Sequence, residues 1–300
     1  MQSHLKQINH VNVKGFSRAN KLDDLTGLLE GCDCVFHFAA VNRSSSEEDF
    51  RVSNVDLTSE LCSCVARISL RQRKHIPIYY TSSIKAGEDS VYGQTKFAAE
   101  EILERHKIEG FPTFIMRLPN IFGKWSKPNY NSVISTFCHL LARGKPIRID
   151  DPNSTLELLY VDDLMRWLVL FIETEGSKFD EFTTILPSLI FKTTLGDIAA
   201  TLRAISIDRE KLYVPNTAEG LTRALYATFL TFLPKDKFCY PVPSYTDPRG
   251  TFVEVLKNNS SGQLSFFTIA VEEVRGGHFH HTKAEKFLVV HGTANFSFFN

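Results

Sequence analysis

Lys96 follows Tyr92 by four residues in the run Tyr92-Gly93-Gln94-Thr95-Lys96, and the pair Ser82-Ser83 lies about ten residues upstream. On a helix, positions i and i+4 share a face, so the phenol and the ammonium come within reach of each other. The ammonium favours the phenolate, and the expectation is a phenol pKa drawn down from about 10 toward the working range. A serine hydroxyl nearby can hold a carbonyl or alcohol oxygen while the phenol exchanges a proton with it. That trio suits hydride chemistry at a C–O centre with a nicotinamide alongside. Tyr-x-x-x-Lys alone is a weak signal, strengthened here by its context. The run Ile78-Tyr79-Tyr80-Thr81 reads as a strand that delivers the serines, and a helix from Tyr92 to about His106 carries the tyrosine and lysine.

A second group lies in Gly277-His278-Phe279-His280-His281-Thr282-Lys283-Ala284-Glu285. On a strand His278 and His280 project to one face, Glu285 on the next strand can meet them, and His281 faces the other way. Two imidazoles and a carboxylate suit a divalent metal with an open position. Between the two groups, the stretch Arg117 to Asn131 is dense in Lys, Asn and aromatic residues. It could clamp a phosphorylated nucleotide and stack its base, or be an ordinary crossing loop.

These residues need elements to position them. Strand-like segments Ile8 to Lys14, Cys34 to Ala40, Ile78 to Thr81 and Thr113 to Leu118 alternate with helical ones at Asp23 to Leu29, Asp56 to Ser69 and Tyr92 to His106. That alternation predicts a doubly wound, Rossmann-type parallel sheet. Helices at Val133 to Arg143, Leu164 to Ile172 (started by Asp162-Asp163) and Leu195 to Ala204 follow. Past Pro241-Val242-Pro243 the pattern turns strand-rich, over Thr251 to Leu256, Gln263 to Ile269, Glu285 to Val290 and Ala294 to Phe298, with glycine turns between. That predicts an all-β barrel or jelly roll, and a division into residues 1–237 and 238–300.

The chain of 300 residues has 43% hydrophobic and 23% charged residues, in the ordinary range for a globular protein with a sizeable core. With 34 basic and 34 acidic residues there is no electrostatic case for a nucleic-acid or anionic-membrane partner. No apolar run reaches a membrane span and Met1 to Lys6 has no signal-peptide core, so a cytoplasmic protein is expected. The Cys32/Cys34 and Cys62/Cys64 pairs read as reduced thiols rather than a zinc knuckle. A dinucleotide-binding sheet opens with a strand, a glycine-rich turn and a helix that holds the pyrophosphate. Residues 1 to 40 supply no such turn. The first strand therefore reads as the second strand of such a fold, and a fragment, a misplaced start or a degenerate copy is expected.

The segment from Cys34 to Asp163 resembles the extended short-chain dehydrogenase/reductase family. The matching pieces are Val35 to Ala40, Asn54-Val55, Ser82-Ser83, Tyr92-x-x-x-Lys96, Arg117-x-Pro119-Asn120-x-Phe122-Gly123 and Tyr160 to Asp163. The C-terminal piece resembles the first motif of the cupin family, with half the barrel expected to be absent. Together with Gly123 to Ser132 and His278 to Val290, they resemble the bifunctional UDP-sugar reductase/epimerase family of capsular-polysaccharide synthesis. The resemblance implies NADPH-dependent (or NADH-dependent) reduction at C4 of a UDP-4-keto-6-deoxy-N-acetylhexosamine, C3 epimerisation by the cupin, and a homodimer. It makes Tyr92 the proton donor, Lys96 its helper and a holder of the nicotinamide ribose, and Ser83 (or Ser82) the orienter of the carbonyl. Arg18 would meet the 2′-phosphate, with Phe38, Ala39, Ala40, Pro119 and Asn120 along the cofactor. Asn120, Lys127, Asn129, Asn131 and Arg249 would touch the UDP-sugar, and His278, His280 and Glu285 would bind zinc or another divalent metal. The competing readings are a UDP-sugar 4-epimerase or dehydratase, and a homologue that binds without catalysing.

Overall fold

The computed structural model describes residues 5, 11–173, 186–218, 220–258, 262–282 and 284–297. Its first layer is a parallel sheet of β1 (Val35–His37), β2 (Ile78–Ser83) and β3 (Thr113–Leu118), with β2 central. The register pairs Val35 with Ile78 and Ser83 with Leu118. Both faces of β2 are covered, which is why its sequence is continuously apolar until the serines. Ile78 and Tyr80 pack against α3 (Leu57–Gln72) and α4 (Val91–Ile108), with Val65, Ile68, Ala99 and Leu103. Tyr79, on the opposite face, packs with Leu164, Leu168 and Phe171 of α6 (Val161–Glu173). Short helices α1 (Asp24–Leu29) and α2 (Glu47–Phe50) precede α3, and a π-helical segment, Arg51–Asp56, joins α2 to it.

Pro119 separates β3 from β4 (Asn120–Phe122), since a residue without an N–H cannot continue the ladder. A second sheet follows: β4 parallel to β5 (Thr155–Tyr160), and β5 antiparallel to β6 (Ile190–Thr194). Helices α5 (Val133–Leu141), α7 (Leu195–Glu210) and α8 (Gly220–Leu230) bury its outer face around Phe122, Phe137, Leu202 and Phe229. The third sheet is an antiparallel meander of β7 (Ser244–Asp247), β8 (Gly250–Asn258) and β9 (Gly262–Phe267). Lys257 ties it to the helical part, donating its N–H to the Leu212 carbonyl at 2.8 Å and accepting from Val214 at 2.9 Å.

Several expected strands are shorter or absent. Residues 6–10 of the expected Ile8–Lys14 strand lie outside the described residues, and 11–14 carry no regular structure. The Cys34–Ala40 strand contracts to Val35–His37 because only those residues find ladder partners on β2. No strand forms over 284–297, where Glu285–Val290 and Ala294–Phe298 were expected, Phe298 lying outside the described residues. Alternating apolarity says which face could be buried, but a strand also needs a neighbour to bond with.

Candidate active site

Tyr92 sits in the first turn of α4, which Ser90 caps by accepting from the Gly93 N–H at 3.0 Å. Gly93 is required there: a Cβ would stand 2.6 Å from the Lys85 carbonyl oxygen and 2.7 Å from that of Glu88. The tight turn before the helix thus presses Tyr92 toward the C-terminal end of β2, the end at which parallel sheets bind ligands. The half-buried phenol lies beside Ser83, whose hydroxyl lowers its pKa.

The two serines part company by strand parity. Ser82 shares a face with Ile78 and Tyr80, and its hydroxyl donates to Glu100 Oε1. Arg117 forks onto the same carboxylate, Nε to Oε1 at 3.0 Å and Nη2 to Oε2 at 2.6 Å. Ser82 is thereby committed to a structural network, and Ser83 is the hydroxyl that faces the phenol.

Lys96 is 2% exposed. Its Nζ donates to the Thr81 carbonyl at 2.8 Å and lies 4.0 Å from the centre of the Tyr80 ring. Burial pushes its pKa down from 10.5 to about 8, only partly offset by Glu100. The expected acidification of Tyr92 by Lys96 is corrected here. Burial holds the phenol above its ordinary value and the Ser83 hydroxyl opposes it, while the ammonium is aimed at Thr81 and Tyr80 instead. Shared helical face fixes neighbourhood, not which acceptor a long side chain selects.

Deeper in, His37 bonds Thr58 Oγ1 at 2.9 Å through Nε2, and burial followed by the nearby Lys96 charge lowers its pKa to about 4. Asn54, fully buried in the π-helical segment, grips the main chain of Val41: its Oδ1 accepts from Val41 N at 2.7 Å and its Nδ2 donates to the Val41 carbonyl at 2.9 Å. The same Nδ2 reaches Thr95 Oγ1 on α4 at 3.1 Å. Asn54 thus locks the chain after β1 to the helix that carries Tyr92 and Lys96. Sequence reasoning gave Asn54 no role in the site, because the contact with Thr95 spans 41 residues and has no local signature.

Phe38, Ala39 and Ala40 are exposed just beyond β1, and Asn120 is exposed on β4 beside buried Pro119. Arg18 stands exposed in a turn and makes no ion pair among the described residues. In the loop after β4, Gly123 (φ +156°) is pressed against Val161, whose Cγ1 would be 2.3 Å from any Cβ there. Lys124 pairs with Asp162 at 2.7 Å, which ties the loop to the start of α6. Lys127, Asn129 and Asn131 are all exposed, with Asn129 in the left-handed region (φ 54°).

His278, His280 and Glu285 come together although no strand carries them: their ligand atoms all lie within 4.8 Å of one another. The His278 and His280 rings are 5.0 Å apart, and His280 Nε2 is 3.2 Å from Glu285 Oε1. Two imidazoles and a carboxylate fit a divalent ion of zinc type in donor chemistry, with a small inward shift needed for bond lengths of about 2.0–2.2 Å. His281 packs on Phe279 instead, as expected of a non-ligand. Arg249 is engaged by Asp247 at 2.6 Å, and Arg275, which the sequence reading passed over, meets the same carboxylate at 3.1 Å.

Comparison with known proteins adds to this geometry. Residues 3–182 match the NAD dependent epimerase/dehydratase family and residues 245–300 the polysaccharide biosynthesis C-terminal domain. A UDP-2-acetamido-2,6-beta-L-arabino-hexul-4-ose reductase of Pseudomonas aeruginosa is 42% identical over 299 residues, covering 99% of this chain and 78% of that protein. The crystal structure of the capsular polysaccharide assembling protein CapF from Staphylococcus aureus superposes with a TM-score of 0.74 at 32% identity, over 88% of this chain and 70% of that one. UDP-glucuronic acid 4-epimerase from Bacillus cereus, solved with NAD, shares the fold at 20% identity, TM-score 0.55, over 71% and 79% of the two chains.

Proposed function

We propose, from the premise that the chain belongs to the NAD dependent epimerase/dehydratase family, that it reduces the C4 carbonyl of a UDP-4-keto-6-deoxy-N-acetylhexosamine with NADPH. The observation that carries this reading is the Tyr92 phenol beside Ser83 at the C-terminal end of β2, with Lys96 buried one turn along. When bound, a reduced nicotinamide would supply the hydride to C4. Ser83 holds the carbonyl oxygen, and the Tyr92 hydroxyl gives its proton to that oxygen as the alcohol forms. A phenol kept protonated by burial suits the role of acid. Exposed Phe38, Ala39 and Ala40, with Pro119, Asn120 and Lys96, line the cofactor in this reading, and Arg18 meets its 2′-phosphate. Asn120, Lys127, Asn129, Asn131 and Arg249 contact the UDP-sugar.

The same reading makes residues 238–300 a cupin segment in which His278, His280 and Glu285 hold a divalent ion, zinc by donor type, beside a C3-epimerising site. It also implies a cytoplasmic homodimer. Among the described residues no helix is long and apolar enough to cross a membrane.

The test is loss of reduced-nicotinamide absorbance with the 4-keto sugar nucleotide. Tyr92→Phe is expected to lower turnover by at least about 10²-fold while leaving UDP-sugar affinity intact. Undiminished turnover in that variant removes Tyr92 from the chemistry. Product formed without net NADPH consumption turns the assignment to a 4-epimerase or dehydratase. For the metal, zinc taken up by the wild type and lost in His278→Ala is expected; equal uptake by both sinks the site.

A further inference from the structure

The loop after β1 and the loop after β4 meet at one point. Arg43 Nη1 donates to the Tyr130 carbonyl at 2.5 Å, and the Tyr130 hydroxyl reaches back to the Arg43 carbonyl at 3.5 Å. Lys127 Nζ lies 5.4 Å from the centre of the same tyrosine ring. Two cations therefore stand within the span of one tyrosine, and neither forms an ion pair among the described residues. Of the neighbouring carboxylates, Asp49 accepts from Ser44 and Glu48 pairs with Arg51. A guanidinium has five N–H donors, of which the Tyr130 carbonyl takes one. Arg43 is also held in place, because Val41, two residues before it, is the main chain that Asn54 clamps to Thr95 beside Tyr92.

We infer that Arg43 is a binding residue for the diphosphate of the sugar nucleotide and grips it together with Lys127, with Tyr130 setting the spacing of the two cations. The inference rests on the nucleotide-sugar reading above and adds a residue from the loop after β1. A planar fork suits phosphate oxygens, and two adjacent cations suit a doubly charged diphosphate better than a single carboxylate.

The experiment is calorimetric titration of the whole chain with UDP and, separately, with uridine. In the wild type UDP is expected to bind more tightly than uridine. Arg43→Met is expected to weaken UDP by about tenfold or more with uridine unchanged within about twofold, and Arg43→Lys to recover part of the loss. Lys127→Met should behave like Arg43→Met. UDP bound equally well by Arg43→Met and wild type overturns the inference, as does an equal loss for UDP and uridine, which would mark Arg43 as a loop tether only. A wild type that binds neither ligand overturns the nucleotide-sugar reading itself.

Discussion

In the proposed reduction, Tyr92, Ser83 and Lys96 divide the work by depth. As the proposed acid, the phenol would have to hold its proton to deliver it, and burial keeps its pKa above the ordinary 10.0. The ammonium is the more pH-sensitive partner, at about 8. If its charge supports turnover, kcat/KM should be level below pH 8 and fall as pH rises through that value, with a second fall where Tyr92 ionises. A profile that stays flat to pH 10 would separate the Lys96 charge from the reaction. The serines supply a sharper contrast: Ser83→Ala should cost about 10²-fold in kcat with little change in stability, and Ser82→Ala the reverse. The grouping of Tyr92, Lys96 and the serines was legible in the sequence because i,i+4 spacing and a preceding apolar strand are local facts. The choice between Ser82 and Ser83 follows from strand parity, but only once Glu100 and Arg117 are known to occupy one face. The true source of the Tyr92 shift was not legible, since depth of burial depends on what α3, α4 and the loops bring from elsewhere.

The helix that carries Tyr92 and Lys96 is held at element scale by polar contacts that reach across the first sheet. Glu100 joins β2 through Ser82 and β3 through Arg117, and a hydrogen bond to a charged group is worth about 1.5–3 kcal/mol. Arg117 is half exposed, so the screened end of that range applies: Glu100→Gln should lower stability by about 1–2 kcal/mol in urea unfolding. Unchanged stability would leave the fork decorative. The buried titrating groups have signs that can be worked out. Between pH 6.5 and about 4 the unfolded chain protonates His37 while the native chain does not, so stability falls as pH is lowered through that window. Between about 8 and 10.5 the unfolded chain still holds the Lys96 proton and the native chain has lost it, so this group makes stability rise with pH. His37→Gln should flatten the acid limb in a thermal-melt series; an unaltered limb would assign it to other groups. The alternating elements of the first sheet were readable from period alone. The π-helical turn that points Asn54 at Val41 was not, because its extra residue per turn leaves no pattern in the side-chain types.

Across the whole molecule, the contrast lies between a core buried on both faces and a β-rich tail that is not. In the tail, Val271 is 92% exposed, Leu288 84% and Phe279 79%. Exposed apolar side chains and unpaired strand edges favour association. The chain should sediment as concentration-dependent oligomers, and Leu288→Asp should shift it toward the monomer; a monodisperse monomer at high concentration would contradict this. The α/β architecture of the first part was readable from its pattern. In the tail, glycine turns and alternating residues predict a β barrel or jelly roll; the described residues form a three-stranded meander, and the strands expected after Phe267 do not form because no described segment lies alongside to bond with them. The donor trio survived that miss, since a short glycine-led loop brings His278, His280 and Glu285 together without a ladder.

The two backbone hydrogen bonds of Lys257 have a mechanical consequence. They fasten the middle of the meander to the stretch between α7 and α8, so the covalent path through residues 238–243 is not its sole attachment. A protease nick in that path should leave both halves travelling as one particle through a gel-filtration column, parting only when denaturant is added.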